Sequence, residues 1–164
     1  MAARHSFSIP TRRSVLAALA TFAVSARAIA QGLQTFDKSK LVIETEKGKF
    51  PFEIELALSE PQMEQGLMFR RELAPDAGML FEYGDERTIT MWMKNTYIPL
   101  DMLFMDSNGK VVDYHERAVP LSLAVIESKA PARAVLEVNS GTVARLGVKA
   151  GDVVHHAFFN NALS

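Results

Sequence analysis

The 164-residue chain contains no cysteine. That excludes disulfides, thiolate-bound zinc, iron–sulfur clusters and a cysteine nucleophile. Long apolar runs are also scarce. The longest, Ser14 to Ala26 (SVLAALATFAVSA), has 13 residues, short of the ~20 that span a ~30 Å hydrocarbon core. No G-x-S-x-G elbow, phosphate loop or dinucleotide fingerprint occurs, so the common hydrolase and nucleotide-binding signatures are missing. Repeats and low-complexity tracts are absent too, and no linker divides the chain into two folded parts.

What is present begins with an uneven charge distribution. Residues 1–30 carry Arg4, Arg12, Arg13 and Arg27 and no acid. A basic start, a short apolar stretch and an Ala28-Ile29-Ala30 ending form the pattern of a signal peptide cut after Ala30. The Thr11-Arg12-Arg13-Ser14-Val15-Leu16-Ala17 segment has the form of a twin-arginine export signal. The expected location is therefore the periplasm, with no transmembrane segment once the signal is gone. Loss of four arginines leaves 14 basic residues against 19 acidic ones, a net charge of −5. That balance argues against nucleic acid as a partner, because phosphate binding needs a basic surface.

The remainder reads as a tether over residues 31–40 followed by one β-rich domain over residues 41–164. Leu41 to Glu46 suits a strand, and Lys47-Gly48 suits a turn. Phe50, Phe52, Ile54, Leu56 and Leu58 then recur at a spacing of two, which predicts a strand with one buried face. Pro51 within it points to an edge or a strand start. Ser59, Pro61 and Gln62 form a capping-box helix start, and Gly66 limits that helix to a short one. Further strands are expected at Met79–Tyr83, Thr88–Met93, Leu100–Met105, Lys110–Glu116, Arg133–Val138 and Val153–Phe159. A hairpin turn is expected at Asn108-Gly109 and a helical turn within Ser140–Leu146. The fold class is thus mostly β: a single small β-sandwich or barrel-like domain with one or two short helices. Leu100–Met105 is apolar on both alternations, as in a strand covered on both faces.

Several stretches recur in a known order: Gln65-Gly66-Leu67-Met68-Phe69-Arg70, Gly78-Met79-Leu80-Phe81, Met91-Trp92-Met93-Lys94-Asn95-Thr96, Pro99-Leu100-Asp101, Phe104-Met105-Asp106 and Leu136-Glu137-Val138-Asn139-Ser140-Gly141. Together they resemble the family called domain of unknown function 192, over roughly Leu41 to Phe158. Gln65 departs from its usual Arg, and Asn139 from a smaller residue. The resemblance implies a compact, β-rich, sandwich-like single domain, often an exported one, and supplies no activity.

The candidate ligand site gathers Arg70, Trp92, Lys94, Asn95 and Asp101 as polar groups on an aromatic floor, suited to a sugar or a carboxylate. The plainer reading makes Met91 and Met93 core residues, Asn95 and Thr96 loop-shaping residues, and Asp101 a loop-fixing carboxylate. The seven methionines between Met63 and Met105 read as gap-filling core rather than as thioether ligands for copper. His155 and His156 alternate on one strand, read as exposed, and offer no convergent metal site. No catalytic set, metal site or cofactor is expected. The leading reading is a non-enzymatic, monomeric, envelope domain that binds a small polar ligand or an exported protein. An alternative is a hydrolase of envelope carbohydrate with Asp101 and Glu137 as acid and base, which requires the two carboxyls to share a cleft at ~5–10 Å. Glu137 otherwise reads as an outward ion pair. A third reading is an assembly factor that presents an apolar patch to another exported protein.

Overall fold

The structure, a computed structural model, describes residues 32–163. The signal-peptide reading of residues 1–30 lies outside them. Gln34–Ser164 is a compact unit of its own.

Alternating apolar residues set the strands. β1 (Asp37–Thr45) and β2 (Gly48–Ala57) form the expected hairpin, in register from Asp37 opposite Leu56 to Thr45 opposite Gly48. β1 begins four residues before the apolar alternation, because Asp37 to Lys40 complete the ladder through backbone groups, which any side chain can supply. Phe52 and Ile54 are buried while Glu53 and Glu55 on the alternate face pair with Lys40 and Arg70. Leu58 lies beyond the strand end and is exposed. Pro51 is tolerated because the pairing of β2 with β3 starts only at Glu53; on that side the strand is still open where the proline sits.

A crossover follows. Helix α1 (Glu60–Gln65) starts with a complete capping box: Ser59 Oγ accepts from the Gln62 amide and Gln62 Oε1 accepts from the Ser59 amide. The chain returns as β3 (Ala77–Arg87), parallel to β2. The remaining strands are β4 (Thr90–Met91), β5 (Leu100–Met105), β6 (Val111–Ala118), β7 (Ile126–Glu127), β8 (Ala132–Asn139) and β9 (Val153–His155). Helix α2 (Thr142–Leu146) follows β8, and a 3-10 turn (Ala157–Phe159) follows β9. Seven strands form one curled sheet in the order β6-β5-β8-β3-β2-β1-β9, while β4 and β7 pair separately. The fold is mostly β and barrel-like, as expected, in the form of a half-barrel.

Its two edge strands meet at one end. The Val111 amide donates to the Asp152 carbonyl and the Val154 amide to the Gly109 carbonyl, each at 2.8 Å. Gly109 has φ +78°, and a Cβ there would stand 2.3 Å from the Val154 carbonyl oxygen. The Asn108-Gly109 turn therefore does two jobs, reversing the β5–β6 hairpin and letting β9 approach.

The central strands are covered on both faces. Leu103 and Met105 face the curled interior with Ile43, Phe52, Leu80 and Leu136. Leu100, Met102 and Phe104 face outward against a second apolar layer that includes Met79, Phe81 and Met91. That layer lies under three long connections, residues 58–76, 88–99 and 119–131. The expected strand at Val153–Phe159 is cut short at His155. The His156 ring nitrogen Nδ1 accepts from the Phe158 amide and starts the 3-10 turn instead. The short β7 has no sequence signal beyond Ile126, because two residues carry no periodicity.

Candidate functional site

A cleft of about 80 Å³ opens on the outer apolar layer. Its floor is Glu137, on β8 between Met79 of β3 and Met102 of β5. Both neighbours are fully buried, and Glu137 itself is 4 % exposed. Burial alone pushes its carboxyl up to about 8 from an ordinary 4.5. No hydrogen bond or cation among the described residues stabilises the charged form, so the acid is neutral at pH 7. It then offers one O–H donor and a carbonyl acceptor.

The walls are Leu67, Met68, Phe81 and Met91. Tyr83 also lines the cleft, its hydroxyl donating to Met91 Sδ at 3.4 Å. The phenol is pushed up to about 12, first by burial and then by the nearby Glu137, with Arg87 opposing. Two neutral O–H groups thus sit among thioethers and rings. Water needs roughly 10–15 Å³ per molecule by the same measure, so the cleft has room for several waters, a small molecule or one end of a larger one.

The expected site residues divide. Trp92 stands at the cleft mouth, 45 % exposed, with Lys94 Nζ 5.0 Å from its ring centre. Asn95 supports the rim. It takes φ +56°, its carbonyl accepts from the Phe69 amide at 2.9 Å, and its side-chain amide reaches Met68 Sδ at 3.8 Å. Arg70 is held elsewhere, paired with Glu55 of β2 beside a separate hollow. Asp101 is on the opposite face of the sheet. Its two oxygens accept from the Arg117 and Val143 amides, each at 2.9 Å, and it is fully buried. The tertiary structure therefore joins Trp92, Lys94 and Asn95, and separates them from Arg70 and Asp101.

Two readings need correction. Asp101 lies opposite Val138 and Glu137 opposite Met102, so successive β8 residues carry the two carboxyls to opposite faces. They share no cleft, and the acid–base pair of the hydrolase reading fails. Nor is Glu137 an outward ion pair. Arg133 pairs with Glu82 at 2.8 Å instead, and the connections above the sheet cover the face that Glu137 occupies. The available signal was a lone carboxylate in the otherwise apolar run Ala134-Val135-Leu136-Glu137-Val138.

His155 and His156 are engaged rather than free. His155 lies between Glu44 Oε2 at 2.6 Å and the Asn161 carbonyl at 2.9 Å. His156 is buried beside Ser39, 3.0 Å from Nε2. Burial lowers its pKa, with Glu82 opposing. Among the described residues no three His, Asp or Glu side chains gather as a metal site.

The cleft is also where most of the recurring motifs meet. Gln65 to Met68, Met91-Trp92, Thr96 and Glu137 come from distant segments and line one opening. The chain is similar to a protein of Sinorhizobium meliloti 1021 described as a candidate transcription regulator. The two are 49% identical, with a TM-score of 0.74, over 77% of this chain and 99% of that one. It is similar as well to a protein of unknown function from Novosphingobium aromaticivorans DSM 12444. That pair is 37% identical, with a TM-score of 0.70, over 77% of this chain and 89% of the other. No curated protein matches it. Residues 42–156 match the pattern of the uncharacterized ACR family, domain of unknown function 192. With that match covering most of the chain and a half-barrel shared with solved relatives, the chain belongs to the domain of unknown function 192 family.

Proposed function

We propose that this domain is a binding module of the cell envelope whose cleft seats a compact ligand bearing an acceptor oxygen, such as a carboxylate, an amide or a sugar hydroxyl. The observation that carries the reading is Glu137, a buried, unpaired acid at the floor of an open cleft. Its carboxyl lines an open cleft with apolar walls, where a hydrogen bond from its proton to a ligand oxygen is stronger than in water. Trp92 provides an apolar rim, and Lys94 above it provides a positive charge for an acidic ligand. Binding is favoured over turnover because Asp101 and Glu137 are split across the sheet and Tyr83 stays protonated. The name of the Sinorhizobium relative belongs to that protein; a net charge of −5 after signal removal disfavours a phosphate backbone as ligand here.

Residues 1–30 fit this reading as a twin-arginine signal that delivers the domain to the periplasm. The mass of the exported protein should correspond to a chain starting at Gln31, and replacement of Arg12 and Arg13 by lysine should trap it in the cytoplasm. For the cleft, a thermal-shift screen against small carboxylates, N-acetylated amino acids, sugars and peptidoglycan fragments is the direct test, since a ligand raises the midpoint by mass action. A hit that disappears in Glu137→Leu and fades above pH ~8, where the acid ionises, supports the reading. A hit indifferent to Glu137→Leu, or no hit in the whole panel, overturns it.

A further inference from the structure

The C-terminal segment closes the interior apolar layer like a latch. Phe159 is buried in that layer with Ile43, Val111 and Val154, and Phe158 rests against it. Asn161 ties the segment down. Its side-chain amide donates to the Asn108 carbonyl at 2.8 Å and to the Val154 carbonyl at 3.1 Å, and its side-chain oxygen accepts from the His156 amide at 2.9 Å. The latch therefore covers the seam where the β5–β6 turn meets β9. Gly109 shows how closely it fits: an added Cβ there would stand 2.8 Å from Phe159 Cδ2 and 2.9 Å from Asn161 Nδ2.

One ring starts the latch. His156 is 3 % exposed, and its Nδ1 accepts from the Phe158 amide at 3.2 Å. A backbone amide only donates, so this nitrogen presents a lone pair and the ring is neutral. Its proton is then on Nε2, 3.0 Å from Ser39 Oγ. Serine, threonine and asparagine commonly cap such turns, with oxygens that accept at any ordinary pH. Histidine is the capping acceptor that mild acid removes, because the imidazolium has two donors and no lone pair.

The surroundings offer the charged ring a second arrangement. From β1 the ring meets the Ser39 hydroxyl, and from its own turn the edges of the Phe158 and Phe159 rings. From β3 it feels the charge of Glu82, behind which stands Arg133 of β8. Burial favours the neutral ring and Glu82 opposes. Glu82 Oε1 accepts from Arg133 Nε at 2.8 Å and from the Gly84 amide at 2.9 Å. Its Oε2 is buried without a partner among the described residues. The neutral ring spends its single N–H on Ser39; a second N–H exists only after protonation. His155, on the other face of β9, is built in the opposite sense. Its nitrogens lie 2.6 Å from Glu44 Oε2 and 2.9 Å from the Asn161 carbonyl oxygen, with Lys49 also paired to Glu44. Both neighbours are acceptors, so acid costs that ring neither contact.

We infer that His156 makes the C-terminal turn an acid-released latch: protonation of Nδ1 gives up the Phe158 amide, the ring turns to the spare oxygen of Glu82, and residues 157–163 lift from the β6–β9 seam. Release uncovers the interior apolar layer at that seam. The latch lies on the opposite side of the sheet from the Glu137 cleft, and the inference does not rest on the reading of that cleft.

The test follows amide hydrogen exchange by NMR in residues 31–164, which contain the whole self-contained unit. Exchange is corrected for its intrinsic pH dependence and compared from pH ~8 down to ~5. In the released turn His156 takes its ordinary value of 6.5. The Phe158, Phe159 and Asn160 amides should therefore lose protection below that pH, by up to about tenfold per pH unit. Amides of β3 and β8 should keep theirs. His156→Asn supplies an acceptor that does not titrate, and should hold the latch closed over the whole range. Glu82→Gln removes the charge that favours the imidazolium, so release should move to lower pH. Glu137→Gln should behave like the parent. The ring nitrogen shifts of His156 give a readout that needs no variant, since Nδ1 should gain its proton together with the loss of Phe158 protection. A ring that titrates while the Phe158 amide stays protected overturns the proposal. So does a His156→Asn protein that loses protection at the same pH as the parent, or a loss that spreads to β3 and β8 at that pH.

Discussion

Asp101 and Glu137 are two buried carboxylates on neighbouring strands, one residue out of register and on opposite faces of the sheet. On the interior face Asp101 uses both oxygens. It ties the left-handed turn at Arg117, φ +55°, to the first turn of α2 through Val143. On the outer face Glu137 has neither an amide nor a cation, and its neighbours are methionines. The same residue chemistry thus serves structure where it is saturated and remains available where it is not. The two apolar layers differ in the same sense. The interior is sealed by the β6–β9 contacts and the 3-10 turn, whereas the outer layer has only long connections above it and retains a cleft.

The contrast can be broken at several points. Asp101→Ala should be the most damaging change, since it orphans the buried Val143 amide and the part-buried Arg117 amide; about 2–4 kcal/mol of stability should disappear in urea denaturation. Asp101→Asn, which keeps an acceptor, should lose less. If Asp101→Ala melts like the parent, the structural assignment of Asp101 is wrong. Gly109→Ala should cost about 2–3 kcal/mol, combining a positive φ with a clash against Val154. Gly84→Ala is the control: its φ is +81° with nothing within 4 Å of the added Cβ, so only the conformational cost of about 1 kcal/mol applies.

A smaller effect is expected from pH. The Glu137 carboxyl binds its proton more tightly folded, near pH 8, than unfolded, near 4.5. Between those values the native state holds the extra proton, so stability falls as pH rises, by at most about 1.4 kcal/mol per pH unit. His156 acts in the other direction, its lowered pKa removing stability as pH falls below its unfolded value of 6.5. From pH 6.5 to 8 the parent should therefore lose about 1–2 kcal/mol, and Glu137→Gln should flatten that slope. An equal slope in both proteins would place Glu137 in contact with water or a cation. Smallest of all, Trp92→Ala should move stability by no more than about 0.5 kcal/mol, because the ring is nearly half exposed. Its effect should fall on ligand binding, read by the same thermal shift.

Much of the fold was legible where periodicity is strong. The β2 alternation, the capping box at Ser59 and the two-sided β5 all appear as read. Asp101 as a loop-fixing carboxylate was legible too, because a carboxylate opening an apolar strand must be bonded. The site was less so. Trp92 and Lys94 were visible as an unusual pair, but Arg70 and Asp101 were assigned to them by proximity in sequence motifs. Their true partners, Glu55 and the Arg117 and Val143 amides, come from other strands and turns. Glu137 was misread because alternation gives the face of a residue without telling what covers that face.

By itself, the sequence determined the β class, the strand order along the chain, the short helices and the acidic balance after the first thirty residues. These depend on local spacing, turn chemistry and composition. Only the tertiary structure decided the parallel β2–β3 pairing, the meeting of β6 with β9 and the separation of Asp101 from Glu137. It also decided that residues 58–76, 88–99 and 119–131 would roof the outer face around an unpaired acid. Those outcomes follow from which distant segments pack together, and packing at a distance has no signature in local periodicity.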